Sequence, residues 1–261
     1  MKKEIFIKPH NLTHSNLKAF FTTKILNNNV EELLEEIGIL EENVYPVRKK
    51  APPFRWSNKK HIPKAGVKAP TKLSNRVYLP IQKHTDKVMV LENDFKPVVA
   101  DAVITRKKGV LIGIHVADCV PILLYDKKKS LVGAVHAGWR GTATQILKNT
   151  IKTMQEGFRS SAEDILIAIG PSIRQCCYEV GEEVKHAVYN VTGEGSYYRR
   201  QNGKYFIDLS SANMIQALSM GIQEENIYQS DECTFCNPDR FYSYRYTKGS
   251  DGRQGGFIGM W

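Results

Sequence analysis

Three short segments of this chain carry side chains with chemistry to offer. "QKHTDKV" contains His84, "HVADCVP" contains Asp118 and Cys119, and "VHAGWRG" contains His136 and Arg140. Two imidazoles and a thiolate are good zinc ligands, and three protein donors leave one tetrahedral position for water or substrate. Zinc bound this way brings the pKa of water to about 7 and so supplies hydroxide near neutral pH. Cys119 and His136 alone would instead make a nucleophile and its base, as in thiol hydrolases. The plainest reading is a buried cysteine and two hydrogen-bonded histidines. Spacing does not choose among these, because the residues form no HxxxH or CxxC pair and only the fold can make them converge. The deciding question is whether His84 also reaches the thiolate: two histidines favour a metal, one favours a dyad.

Of the five cysteines, the other four are Cys176 and Cys177 in "RQCCYEVGEEV" and Cys233 and Cys236 in "DECTFCNPD". The second segment is a CxxC, half of a zinc site. Its partner would have to be an adjacent Cys-Cys pair, and neighbours on an extended chain point opposite ways. Structural thiols are therefore the expectation here, not a four-cysteine zinc site.

The elements that must position these residues follow from apolar pattern. "NVEELLEEIGIL" (29–40) reads as a helix, with Val30, Leu33, Leu34 and Ile37 on one face and Asn29 as its cap. Residues 46–72, rich in proline and lysine, read as a long surface loop or insertion. From residue 77 the runs "VYLPI", "KVMVL", "DAVIT", "GVLIGIHV", "PILLYD" and "SLVGAVHA" are short and rich in β-branched residues, which predicts closely spaced strands. In "GVLIGIHV", Val110, Ile112, Ile114 and Val116 share one side and His115 the other. Pro121 predicts a break in the ladder around 118–121, leaving Cys119 available. Residues 142–158 read as a helix through Ile146, Leu147, Ile151 and Met154. "DILIAIG" reads as a strand, "GEEVKHAVYNV" as a helix, and "DLSSANMIQALSMG" as a helix capped by Asp208 or Ser210 and ended by Gly221. "FYSYRY" and "GGFIGM" complete the strand expectations. Together they predict one mixed α/β domain with helices covering sheets.

Bulk properties set the remaining expectations. With 261 residues, 42% hydrophobic, the chain can bury a real core. No signal-peptide core or membrane-length apolar run is seen, so a soluble, cytoplasmic protein is expected, without a disulfide framework. The formal charge of +10 is spread in short groups without interleaved aromatics. It fits a solvated basic surface or small anionic substrates better than nucleic acid.

In order along the chain, "QKHTDKV", "ADAVIT", "GIHVADCVPILLYD", "GAVHAGWRGT", "IAIGPSIRQCCYEVG", "FIDLSSANMIQALSMGI", "CTFC" and "FYSYRYTKGSDGRQGGFI" resemble the YfiH/laccase-domain family. That group is labelled polyphenol oxidases and associated with purine nucleoside phosphorylase activity. The resemblance covers about residues 77–261. It implies an α+β (mixed α/β) fold, a layered α-β-β-α single domain over 1–261. It also implies a zinc held by His84, Cys119 and His136, with copper as the metal of the older label. The implied activities are phosphorolysis of adenosine, inosine and methylthioadenosine, with adenosine deamination beside it. Small nucleosides and phosphate are then the partners, with no nucleic acid or membrane, for a monomer or homodimer. The expected roles are catalysis for Asp118 (a proton shuttle) and Arg140, and substrate binding for Lys24, Gln82 and Arg245, with Arg140, Arg245 and Lys24 the cations holding phosphate. Gly138 and Gly141 are expected to let the backbone turn sharply, and Trp139 to pack. A related toxin deamidase fold keeps the alternative of a Cys119–His136 thiol hydrolase or amidase, or a peptidoglycan editing factor. Two positions depart from the family pattern: Lys24 replaces an arginine, and Thr85 replaces the glycine after His84.

Overall fold

The computed structural model describes residues 5–24, 77–249 and 252–261. The expected helix at 29–40 and loop at 46–72 lie outside these residues. Two β-sheets face each other. The first has five strands in the order β1 (Phe6–Ile7), β2 (Leu17–Thr22), β14 (Gln254–Met260), β6 (Val110–Val116) and β3 (Val77–Tyr78). The second has six, in the order β13 (Ile227–Gln229), β9 (Ile165–Ile169), β7 (Val120–Asp126), β8 (Leu131–Ala137), β5 (Ala102–Thr105) and β4 (Val88–Val90). A small third sheet pairs β12 (Lys204–Ile207) with β10 (Glu179–Val180) and β11 (Tyr198–Gln201).

Side-chain alternation sorts the strands into layers. Ile112, Ile114, Leu123, Val132, Ala134 and Ala168 fill the space between the two large sheets. Leu131, Val135, Ile122 and Leu124 face the other way, onto Ile146, Leu147, Ile151 and Met154 of helix α2 (Ile146–Phe158). Helices α3 (Glu182–Thr192) and α4 (Leu209–Leu218) complete that layer through Val184, Val188, Leu209, Ala212 and Ala217. This is a mixed α/β architecture, with helix, six-stranded sheet and five-stranded sheet stacked in that order.

Most elements match their sequence signals. Asp208 caps α4 by accepting the Ser211 N–H at 3.1 Å. The apolar alternation of β6 is as expected, its even-numbered residues facing the second sheet. Two readings are corrected. The single helix expected over 142–158 is split: α1 (Trp139–Ala143) ends at Thr144, and Gln145 has φ +61° before α2 begins. "FYSYRY" is not a strand. Ser243 accepts the Tyr246 N–H at 3.1 Å and starts a short helix α5 (Tyr244–Thr247). A local hydroxyl cap overrides the β preference of the aromatics there. Among the described residues, no helix is long and apolar enough to cross a membrane.

Candidate metal and active site

The chain passes from one large sheet to the other between β6 and β7, through Ala117, Asp118 and Cys119 alone. So short a crossing forces an unusual backbone: Asp118 has φ +82°. It leaves Cys119 at the open end of the space between the sheets. Pro121 does not break the ladder; it lies within β7 opposite His136, and the break falls before it, at residues 117–119. On β8, His136 continues the Val132–Ala134 side that faces the first sheet, and it is 4% exposed. His84 comes from the loop before β4, with φ +59°. The donor atoms of His84, Cys119 and His136 all lie within 4.8 Å of one another. The His84 Nε2 to Cys119 Sγ distance is 3.9 Å, so both histidines reach the thiol.

Asp101 organises this constellation, and sequence reading missed it. It sits just before β5, and its carbonyl accepts the His136 backbone N–H at 2.7 Å. Its carboxylate, wholly buried, accepts His136 Nδ1–H at 2.8 Å. The same carboxylate accepts the backbone N–H groups of Lys83, His84 and Thr85 and the Thr85 hydroxyl, at 3.2, 3.0, 2.6 and 2.7 Å. One carboxylate thus fixes the His136 tautomer, with Nε2 free for a metal, and holds the loop that delivers His84. Burial alone would raise its pKa. The hydrogen bonds from His136 and Thr85 outweigh that and hold it well below the usual carboxylate range. The only available signal was the Asp in "ADAVIT", whose partners are 16 to 35 residues away in sequence.

Electrostatics at the metal-free site favour an ion pair. Burial would push the Cys119 thiol up, but the charge of His136 and hydrogen bonds from both histidines bring it down to about 6. Burial would lower His136, but the Cys119 thiolate and Asp101 raise it to about 9. The donor chemistry fits a zinc ion: one thiolate, two imidazoles and a fixed tautomer, three donors for a four-coordinate metal. Gly138 shows how closely the site is fitted. A Cβ there would lie 2.9 Å from His84 Cδ2 and 3.0 Å from Cys119 Sγ. Its φ is −75°, so this glycine provides space and not the sharp turn expected of it. Gly141 likewise leaves room, for Ile146 and the His136 carbonyl.

The other expected site residues separate into two groups. Arg140 is exposed and its guanidinium lies 4.3 Å from the Trp139 ring centroid, while Trp139 packs on the helix-side core. Arg245 lies 5.1 Å from the ring centroid of Tyr178 and donates to the Glu179 carbonyl at 2.9 Å. Tyr178 was not singled out from sequence. Burial is the main reason its phenol is pushed up to about 12, with the Cys119 charge adding to it and those of Arg245 and Arg140 opposing. Arg245 therefore stacks on Tyr178, and the charges of Arg140 and Cys119 both act on the same phenol.

Gln82, Asp118 and Lys24 have other tasks. Gln82 uses both ends of its amide on the His115 backbone, donating to its carbonyl and accepting its N–H, each at 2.8 Å. It pins the His84 loop to β6. Asp118 accepts the Thr234 hydroxyl and the Arg245 backbone N–H, both at 2.7 Å, one on each oxygen. It braces the sheet crossing, and a shuttled proton would break one of those bonds. Lys24 follows β2 and directs its ammonium to the Pro238 carbonyl at 3.3 Å and the Tyr242 ring at 5.2 Å. No described contact joins it to the three donors.

This arrangement can be set beside known proteins. Residues 62–261 match the family model described as multi-copper polyphenol oxidoreductase laccase. The chain belongs to this family. A purine nucleoside phosphorylase of Clostridium acetobutylicum is 40% identical over 181 residues, covering 68% of this chain and 74% of that one. A protein named adenosine deaminase RL5, from an unknown prokaryotic organism, is 35% identical over 190 residues, covering 67% and 71%. The crystal structure of YlmD from Geobacillus stearothermophilus superposes with a TM-score of 0.78 at 24% identity, covering 100% of this chain and 97% of that one. The relatives' names point to an enzyme of purine nucleosides, and the structural likeness to a shared fold.

Proposed function

We propose that this chain is a zinc-dependent purine nucleoside phosphorylase acting on adenosine, inosine and methylthioadenosine, with adenosine deamination as a side activity. The observation that carries it is the convergence of His84, Cys119 and His136, aligned by Asp101, with the guanidinium of Arg245 on Tyr178 and that of Arg140 on Trp139. The names of the family relatives support the substrate class.

His84, Cys119 and His136 would hold the ion, which when bound supplies a Lewis acid and lowers the pKa of water. In phosphorolysis, phosphate attacks C1′ of the ribose while the purine departs. Arg140 presents a planar fork to the phosphate dianion, and Arg245, stacked on Tyr178, adds a second cation. Tyr178, protonated at neutral pH, offers a phenolic O–H and a ring face to the nucleoside. Asp118 acts by position: it holds Arg245 and the Cys119 turn together.

The test is chromatographic. Zinc-loaded protein is incubated with adenosine, with and without phosphate, beside a Cys119→Ala control. Adenine formed only with phosphate supports the phosphorylase. Inosine with or without phosphate shows a deaminase alone, and neither product from folded protein overturns both. Arg140→Ala should raise the phosphate KM sharply; an unchanged value removes it from the phosphate site.

One observation favours a second reading. Cys119, His136 and Asp101 are ordered as nucleophile, base and orienting carboxylate, with the thiol already ionised near neutral pH. A thiol hydrolase would gain activity when chelator strips the metal, and the phosphorylase would lose it.

A further inference from the structure

The expectation that Cys176, Cys177, Cys233 and Cys236 do not form a common site is overturned by the backbone. Cys176 and Cys177 lie in a turn, not on an extended strand: the N–H groups of Cys177 and Tyr178 both donate to the Arg174 carbonyl, at 3.0 and 2.9 Å. Neighbours in a turn can aim their sulfurs the same way. The CxxC is also a turn, closed by Asn237 N–H and Asn237 Nδ2 on the Cys233 carbonyl, at 3.1 and 3.0 Å. As a result all four sulfurs lie within 4.8 Å of one another. Cys236 Sγ is 3.6 Å from Cys176 Sγ and 3.3 Å from Cys177 Sγ, and all four thiols are free. Zinc–sulfur bonds of about 2.3 Å in a tetrahedron set the sulfurs about 3.8 Å apart, so the cluster has the size of a zinc cage.

We infer that these four cysteines bind a second zinc ion, in a closed structural site separate from His84, Cys119 and His136. Four thiolates fill the tetrahedron and leave no position for water or substrate, so this ion would hold structure and not do chemistry. The turns are already prepared. Ser172 bridges to Cys233, Thr234 N–H donates to the Ser172 carbonyl at 3.1 Å, and Arg174 ties Asp208 to the Ser230 carbonyl.

The location gives the site a purpose. Cys177 precedes Tyr178, which lies beside Cys119, and Cys233 precedes Thr234, which holds Asp118 at 2.7 Å. Ile173 N–H also donates to the Asp118 carbonyl at 3.0 Å. A metal on the four sulfurs would therefore clamp, from behind, the turn that presents Cys119.

The test uses full-length protein purified under reducing conditions. Mass-spectrometric metal analysis should give two zinc ions per chain, and one for the Cys233→Ser/Cys236→Ser double variant. Cys119→Ala removes the sole thiolate of the first site, so on cobalt loading any thiolate-to-cobalt charge-transfer band must come from the second. A strong band in Cys119→Ala, with the intensity of several thiolates, is expected even if the double variant does not fold. Its absence from folded, cobalt-loaded Cys119→Ala overturns the proposal. So does a count of three reactive thiols where five are expected when that same protein, freed of reductant, is unfolded in chelator, since that reveals a disulfide in place of a metal.

Discussion

His84, Cys119 and His136 come from three separate places at the ends of strands, and a buried carboxylate aligns them. Cys176, Cys177, Cys233 and Cys236 come from two turns that are aligned by backbone hydrogen bonds. The first set mixes imidazole with thiolate, includes two residues or neighbours at positive φ, and leaves a coordination position open. The second is uniform and closed. A site that must exchange ligands depends on tautomer and loop position, and so needs Asp101. A site that only clamps needs nothing beyond turn geometry. The contrast makes different demands on activity and stability, and substitutions should separate them.

The largest effect is expected at the open site. Cys119→Ala should abolish nucleoside turnover while lowering the melting temperature of the metal-free protein only by what the ion pair with His136 contributes, because Cys119 is half-buried. Cys233→Ser should do the converse: its sulfur is buried, and loss of the clamp should lower the melting temperature before it lowers kcat. Thermal melts and turnover on the same samples check this. Equal losses of both properties in both variants would erase the distinction.

Asp101→Ala comes next. It strands His136 and the 83–85 loop without their acceptor, and breaking a buried charged pair costs about 3–5 kcal/mol. Loss of the orienting partner should also weaken zinc binding by roughly 10–100-fold. Asp101→Asn, which keeps the shape, should recover most of the stability and less of the zinc affinity. Parallel denaturant melts and zinc titrations read the two separately.

The pH dependence sharpens the comparison further. The raised His136 contributes stability that is full below its ordinary value of 6.5 and is lost as pH rises towards about 9. The depressed Cys119 contributes stability that is full above its ordinary value of 9.0 and is lost as pH falls towards about 6. In the metal-free protein the two slopes oppose each other between these limits, so stability should be nearly flat there. Zinc affinity should not be flat. His136 must shed its proton to bind, so the apparent affinity should rise about tenfold per pH unit up to about pH 9. A calorimetric titration at several pH values checks it, and a flat profile would show that His136 is neutral before zinc arrives.

How far these features could be read in advance depended on the range of the interactions. Strands β6, β7 and β8 and the helices α2 and α4 announce themselves through local alternation and caps, as Val110–Val116 and Asp208 illustrate. The three candidate metal donors are legible by residue type and by family motifs alone, because their convergence depends on the sheet crossing at 117–119, which no local pattern encodes. Asp101 and Tyr178 were missed for the same reason: their partners are distant in sequence. Gln82 and Asp118 were placed in the right region, and their bonds to His115, Thr234 and Arg245 were not foreseen, since those partners are distant in sequence or are backbone groups. The cysteine pair was misread because a strand geometry was assumed where Arg174 closes a turn.

A smaller prediction follows from Gly138→Ala. Its Cβ would crowd His84 Cδ2 and the Cys119 sulfur at 2.9 and 3.0 Å, both in the open site and neither in the cysteine cluster. Zinc binding at the open site should weaken while the second zinc is retained, read as a fall from two ions to one on mild chelation.

The smallest effect is expected at Thr85, where the chain departs from its family. Its hydroxyl donates to Asp101 at 2.7 Å and its own backbone N–H does so at 2.6 Å. Thr85→Gly keeps the second bond and removes the first. A hydrogen bond to a charged group contributes about 1.5–3 kcal/mol, and Asp101 would retain its other donors, so a loss near the lower figure is expected. The added backbone freedom of glycine acts in the same direction, by up to about 1 kcal/mol. If Asp101 works as an aligning carboxylate, zinc affinity should fall with stability in Thr85→Gly, whereas Thr85→Ser, which keeps the hydroxyl, should leave both near wild type. A stability loss with unchanged zinc affinity would mean that the threonine only stiffens the loop, and that the alignment of His84 rests on the backbone bonds alone.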